Sequence, residues 1–217
     1  MSLYTEPGGG FLAGSKDGCT WESIEAIVNY RSDCQHSIIY DAPHDEFVIY
    51  FRNLRDFKQV ADNPKSGTTR VISRLANKTL FGPWKDLPRA VLIPEDEDAV
   101  LFYGMMVAVK GSLYIGFLEQ DNLSPQATID IELRTSRDGL NWKRHRGGEY
   151  LFRRGTYGES NGAMVKPAGL VEFGDEWLVY YTGFRGYHHE VLKKGASLGL
   201  VRFRKFHHGD LFGFVAE

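Results

Sequence analysis

The heptapeptide Ser15-Lys16-Asp17-Gly18-Cys19-Thr20-Trp21 recurs as Ser136-Arg137-Asp138-Gly139-Leu140-Asn141-Trp142, 121 residues further along the chain. A looser copy runs from Ser73 through Pro83 to Trp84. Starts at 15, 73 and 136 set a repeat of about 60 residues. A period of that length restricts the fold more than any single residue does. A repeat this short cannot bury its own apolar face and has to stack on its neighbours.

Each repeat carries a hairpin pattern. Ser37 to Tyr40 leads through Asp41-Ala42-Pro43-His44-Asp45 to Phe47–Phe51; Tyr103 to Val109 leads through Lys110-Gly111 to Leu113–Phe117; Ala163 to Val171 leads through Phe173-Gly174-Asp175 to Trp177–Tyr181. These are β-branched and aromatic runs separated by turn residues. A third strand follows each hairpin, at Arg70–Ser73, Ile129–Ser136 and Ser197–Phe203. No stretch has a convincing helical period, although Trp21 to Val28 could form a helical turn or two.

The Ser-x-Asp-Gly element suits a tight turn. Glycine accepts a positive φ, and the Ser and Asp oxygens can take up turn amides. The Trp that follows is large enough to pack between adjacent sheets. Asp17 and Asp138 are therefore read as turn formers, not as reactive groups. Four strands per repeat, arranged radially, make a propeller blade. The expected fold class is all-β, a β-propeller of four-stranded blades, with residues 1–217 as a single, partial propeller domain.

Composition narrows the function classes. A net charge of -2 gives no reason to expect nucleic acid or an anionic membrane as partner. No apolar run approaches a bilayer-spanning length, and no signal-peptide pattern opens the chain, which slightly favours a cytoplasmic location. Cys19 and Cys34 form no metal-ligand spacing; two free thiols is the plainer reading, with a disulfide as the alternative.

The run Ile129-Asp130-Ile131-Glu132-Leu133 into Ser136–Trp142, together with Trp177-Leu178-Val179-Tyr180-Tyr181-Thr182-Gly183, resembles the five-bladed propeller of glycoside hydrolase families 32 and 43, the invertase, levanase and arabinanase relatives. The ending Gly209–Ala216 is similar to the last propeller strand of that group. The resemblance spans most of the chain, and its motifs are mainly structural. At roughly 300 residues for five such blades, this chain supplies about three and a half. The family's first-blade nucleophilic aspartate and the C-terminal β-sandwich of family 32 have no counterpart in the sequence. The resemblance implies a glycosidase-like protein, with no cofactor and no metal.

The repeat itself picks out acids that could converge. Aligning Phe47, Tyr114 and Trp177 places Asp33, Asp98 and Glu159 at 14, 16 and 18 residues upstream, each just before an inner strand. Inner strands of a propeller start around one central pocket. A glycosidase needs a carboxylic acid and a second carboxylate at ~5 or ~6.5–9.5 Å, depending on stereochemistry. By resemblance, Asp33 sits near the family's transition-state-stabilising aspartate and Asp98 near its catalytic acid. Glu159 lies where relatives often carry a sugar-binding aspartate. Asp33, Asp98 and Glu159 are thus the catalytic candidates.

Arg52, Glu119, Gln120, His188 and His189 follow second strands and are expected on the same face, with Tyr103 or Tyr187 stacking on a sugar ring. Adjacent histidines in extended chain point in opposite directions, so His188-His189 and His207-His208 are poor metal-ligand pairs. Asp130 and Glu132 share one strand face and are expected to pair with arginines.

The expected function is a glycosidase-like propeller that acts on or binds a carbohydrate. The alternative is an inactive sugar- or protein-binding propeller that forms homo-oligomers through open sheet edges. A sialidase is a weaker third reading: its Asp-box has one more residue before the Trp, and no clear arginine triad accompanies the motif here.

Overall fold

In the computed structural model, the structure describes residues 2–4, 10–28, 34–54, 70–81, 84, 88–94, 100–122, 127–145 and 150–204. They group into two compact units, Met1–Asp121 with Glu132–Glu149, and Asn122–Ile131 with Tyr150–Glu217.

The first unit is a succession of antiparallel sheets. The first sheet has the order β1 (Ser2–Tyr4), β2 (Gly10–Gly14), β3 (Glu22–Val28). The second contains β4 (Ser37–Asp41), β5 (Glu46–Leu54), β6 (Arg70–Asn77) and β7 (Arg89–Leu92), paired in that order. The third contains β8 (Val100–Lys110), β9 (Leu113–Asn122), β10 (Thr128–Ser136) and β11 (Lys143–Arg144). Hairpins and third strands stand where the β-branched runs put them. Segment 22–28 is a correction: it is a strand paired with β2, not a helical turn. Its Ile24, Ile27 and Val28 prefer an extended chain, and the neighbouring strand supplies the hydrogen bonds that a short helix would have to make alone.

Alternation sends each strand's side chains to two different sheet interfaces. On β5, Ile49 and Phe51 meet Leu12 of the first sheet and Leu75 of β6. Val48 and Tyr50 point the other way, into a core with Ile72, Phe102, Met105, Tyr114 and Leu118. Each such side chain, taken fully out of water, contributes roughly 1.5–3 kcal/mol. Asp41, at the hairpin turn, is fully buried; it accepts the Tyr114 hydroxyl at 2.5 Å and lies 3.5 Å from Arg74. It joins the second sheet to the third.

Both Asp-Gly turns form as the sequence predicts. Asp17 Oδ1 accepts the amides of Cys19 and Thr20 at 2.8 and 2.7 Å, and Asp138 Oδ1 those of Leu140 and Asn141 at 2.9 and 2.8 Å. The two serines accept the Gly18 and Gly139 amides, and both indoles donate to the glycine carbonyls. Gly18 and Gly139 have φ of +75° and +67°, where a β-carbon would be strained. These amides, the Thr20 amide first, hold the Asp17 carboxyl down at about 2, and the corresponding amides, Asn141 first, hold Asp138 lower still. The tryptophans differ. Trp142 packs edge-on against Tyr50 with ring centres 5.8 Å apart, whereas Trp21 is 45% exposed.

In the second unit, β12 (Tyr150–Phe152) and β13 (Met164–Phe173) pair with β10, Ile129 standing opposite Met164 in parallel register. From β13 the sheet continues antiparallel through β14 (Glu176–Phe184) to β15 (Ala196–Arg204). Between β14 and β15 lies a short helical turn, Val191–Lys194. Cys19, exposed, and Cys34, buried, form no disulfide. No helix among the described residues is long and apolar enough to cross a membrane.

Candidate functional site

Of the three candidate carboxylates, Asp33 and Asp98 lie outside the described residues. Glu159 is described, in the turn that immediately precedes β13. The other candidates fall into two groups, one in each unit.

In the first unit, Arg52, Tyr103, Glu119 and Gln120 gather where second strands end and third strands begin. Tyr103, at the start of β8, has two guanidinium groups near its ring, Arg52 at 5.3 Å and Arg70 at 5.5 Å from the ring centre. That geometry joins cation–π attraction to the positioning of two planar donors. Arg70 is held in turn by Asp121 at 3.0 Å. Burial, its largest influence, pushes the Tyr103 hydroxyl well above the ordinary tyrosine range, and the two arginines pull it back only in part. Glu119 is fully buried under Gly104, where a β-carbon would stand 3.1 Å from a carboxylate oxygen. Gln120 donates its amide to Glu132, whose other partners are Arg134 and Arg144. Burial raises the Glu132 carboxyl, with Arg134 and Arg144 opposing it.

Around this group, Arg70 is paired with Asp121, and Glu132 with Arg134 and Arg144, as burial requires. Gln120 is tied to Glu132 inside the protein. Tyr103 is half-buried, whereas Arg52, Glu119 and Gln120 are buried, so Tyr103 is the best placed of these four to meet a ligand.

In the second unit, a cleft of about 400 Å³ is lined by Asn122, Thr128, Arg154, Gly155, Tyr157, Gly162 and Tyr187. Tyr157 and Tyr187 stack with ring centres 4.5 Å apart and planes inclined by 21°. Arg154 pairs with Asp130 and also donates its backbone amide to that carboxylate at 3.1 Å. Asn122 donates to Thr128 and Asp130, each at 3.2 Å. Asp130 and Glu132 are thus engaged by arginines, as expected of neighbours on one strand face.

Glu159 belongs to a tightly wound turn beside this cleft. Its carboxylate accepts the Thr156 amide at 2.8 Å, and its backbone bonds Thr156 and Gly162. Gly162 and Gly183 are held to glycine by contact: an added β-carbon would come within 3.0 Å of the Thr156 carbonyl and of Asn161, respectively. Tyr187 opens the helical turn 188–190, where Glu190 accepts its amide at 3.0 Å and the Tyr157 hydroxyl at 3.0 Å. Lys194, first, and the Tyr187 amide, next, hold the Glu190 carboxyl below its ordinary range. His188 is exposed in that turn.

Sequence reasoning passed over Arg70, Asp121, Arg154 and Tyr157. Asp121 and Tyr157 carried a usable signal, standing one and two residues from named candidates. Arg70 and Arg154 come into place only through strand pairing and loop closure. Among the described residues, no group of three or more His, Cys, Asp or Glu side chains could hold a metal ion.

No protein-family model matches the sequence, and no curated protein matches it. Solved structures do match its fold. An N-acetylgalactosamine deacetylase from F. plautii, in complex with blood group B trisaccharide, superposes with a TM-score of 0.62 and 15% identity over 93% of this chain and 58% of that one. A family-32 β-fructofuranosidase of Bombyx mori gives 0.57 and 14% identity over 93% and 40%. An α-L-arabinanase of Penicillium chrysogenum, complexed with arabinobiose, gives 0.53 and 14% identity over 93% and 57%. The chain spans about half the length of these proteins. Its fold is that of the β-propeller glycoside hydrolases.

Proposed function

We propose that this protein is a glycosidase-like propeller that binds a carbohydrate and hydrolyses it with carboxylates placed before its inner strands. The observation that carries the reading is the cleft of the second unit. Two stacked tyrosines, a guanidinium, an amide and a hydroxyl line about 400 Å³, within the ~300–1,000 Å³ usual for small-ligand sites. Aromatic faces suit the C–H faces of a sugar ring, and planar polar groups suit its hydroxyls. Tyr187 and Arg52 with Tyr103 supply such groups in their respective units; Glu119, Gln120 and His188 are the further binding candidates.

In the proposed reaction one of Asp33, Asp98 and Glu159 donates a proton to the glycosidic oxygen as the bond to the anomeric carbon breaks. A second carboxylate attacks that carbon or activates a water to do so. Release of reducing sugar from β-fructosides, arabinans and xylo-oligosaccharides tests this. The expected result is turnover of one class, abolished in Asp33→Asn or Asp98→Asn.

A second reading is favoured by Glu159. Its carboxylate already caps a turn, and Asp121, Asp130 and Glu132 are paired with arginines. A binding protein without turnover needs no uncommitted acid. Saturable sugar binding with no reducing sugar released would select this reading. Absence of both binding and turnover would overturn the two together.

A further inference from the structure

The repeat makes equivalent positions comparable, and two of them differ in cover. Aligning Phe47 with Trp177 makes Tyr180 on β14 the counterpart of Tyr50 on β5. In the first unit, Tyr50 lies under the Trp142 turn of the following sheet and is fully buried, together with Val48 and Ile72. The register carries this face across to the second unit. Arg52 stands opposite Ile72 as Thr182 stands opposite Leu198; Tyr180 stands opposite Leu200. Yet Leu198 is 75% exposed and Leu200 44%, where Ile72 is at 0%. Val171 and Phe173 extend the apolar face along β13, at 45% and 67% exposed.

The converse vacancy is at the first sheet. The Trp21 turn repeats the indole-to-glycine bond and the aspartate-to-amide bonds of the Trp142 turn, but Trp21 is 45% exposed and, among the described residues, no sheet covers its ring as one covers Trp142. An open cleft of about 470 Å³ lies beside it, lined by Lys16, Asp17, Thr20, Glu22 and Phe81, the last 55% exposed. Charge is complementary as well. Arg204 is exposed on the β15 face and Glu22 at the Trp21 turn, opposite charges that lie outside the Arg202–Glu176 pair and the Asp17 turn bonds.

We propose that the β13–β15 face bearing Tyr180, Leu198 and Leu200 is a docking surface for a second copy of this chain, which it engages at the Trp21 turn. The contact reproduces the Tyr50–Trp142 packing between molecules. It joins two different surfaces, so the association is head-to-tail, closing as a ring or growing as an open array. It uses sheet faces, not the strand edges expected from the sequence, and it does not depend on any sugar activity. Exposed apolar surface of this extent favours such burial.

Sedimentation velocity of the full chain over a concentration series tests the proposal, with Trp21→Arg and Leu198→Arg as variants. Both positions are exposed, so the thermal midpoints of the variants at low concentration should match the parent and certify folding. The expected result is self-association of the parent, weakened at least tenfold in each variant alone and restored when the two are mixed, because one intact Trp21–Leu198 contact then remains. A parent that stays monomeric, a variant that still self-associates, or a mixture that does not reassociate would each overturn the proposal.

Discussion

The hydroxyl of Tyr50 donates to the carbonyl of Gly139 at 3.0 Å, across 89 positions of sequence. This bond fastens the Asp-Gly turn of one sheet to the second strand of the sheet before it, in a region where Tyr50 is fully buried. Burial drives the Tyr50 hydroxyl far above the ordinary tyrosine range, which favours the protonated, donating form. Tyr50→Phe leaves the carbonyl unsatisfied and should cost about 1–3 kcal/mol in urea denaturation.

The two turn glycines separate backbone strain from crowding. Gly18 and Gly139 share a positive φ, but a β-carbon at 18 meets open space while one at 139 would stand 2.6 Å from the Tyr50 hydroxyl. Gly18→Ala should cost on the order of 1 kcal/mol of backbone strain. Gly139→Ala should cost clearly more, read as a larger drop in the denaturation midpoint.

Acid should loosen these turns. Asp17 and Asp138 have folded-state carboxyls below their unfolded values, Asp17 at about 2. A depressed folded value means that the stabilisation is complete above the unfolded value of ~3.9 and is lost as pH falls through the folded value. Stability should therefore fall between about pH 4 and pH 2. Asp138→Ala should flatten that part of the pH–stability curve, measured by thermal unfolding at each pH.

Buried and exposed ion pairs should respond differently to truncation. Glu132, buried against Arg134, also faces Arg144. Glu132→Ala leaves buried guanidinium charge and should cost ~3–5 kcal/mol. Arg202 pairs with Glu176 at the surface, and Arg202→Ala should cost under ~1 kcal/mol. Equal losses in urea titrations would contradict the burial described for Glu132.

The sheets were legible because local chemistry encodes them. Val48-Ile49-Tyr50-Phe51 or Leu178-Val179-Tyr180-Tyr181 between turn residues has little alternative to a strand, and Ser-x-Asp-Gly builds its own turn from its own side chains. Segment 22–28 was less legible because its apolar residues fit two periodicities and only pairing with β2 decides between them. For the candidate binding residues, the sequence made strand position legible but not contacts. Counting strand ends brought Arg52, Glu119 and Gln120 to one end of the first unit. It could not foresee Arg70 against Tyr103, or Arg154 on Asp130, because those contacts depend on register between distant segments. Nor could it tell that the Glu159 carboxylate would be occupied by the Thr156 amide.

Carbohydrate binding at the tyrosine-lined cleft, as proposed above, is open to direct measurement. Isothermal titration calorimetry with arabino-, fructo- and xylo-oligosaccharides, on the parent and on Tyr187→Ala, tests it most directly. Saturable binding of one class is expected, weakened at least tenfold by Tyr187→Ala while the thermal midpoint changes little. Binding of none of these sugars, or binding undiminished in Tyr187→Ala, would contradict it.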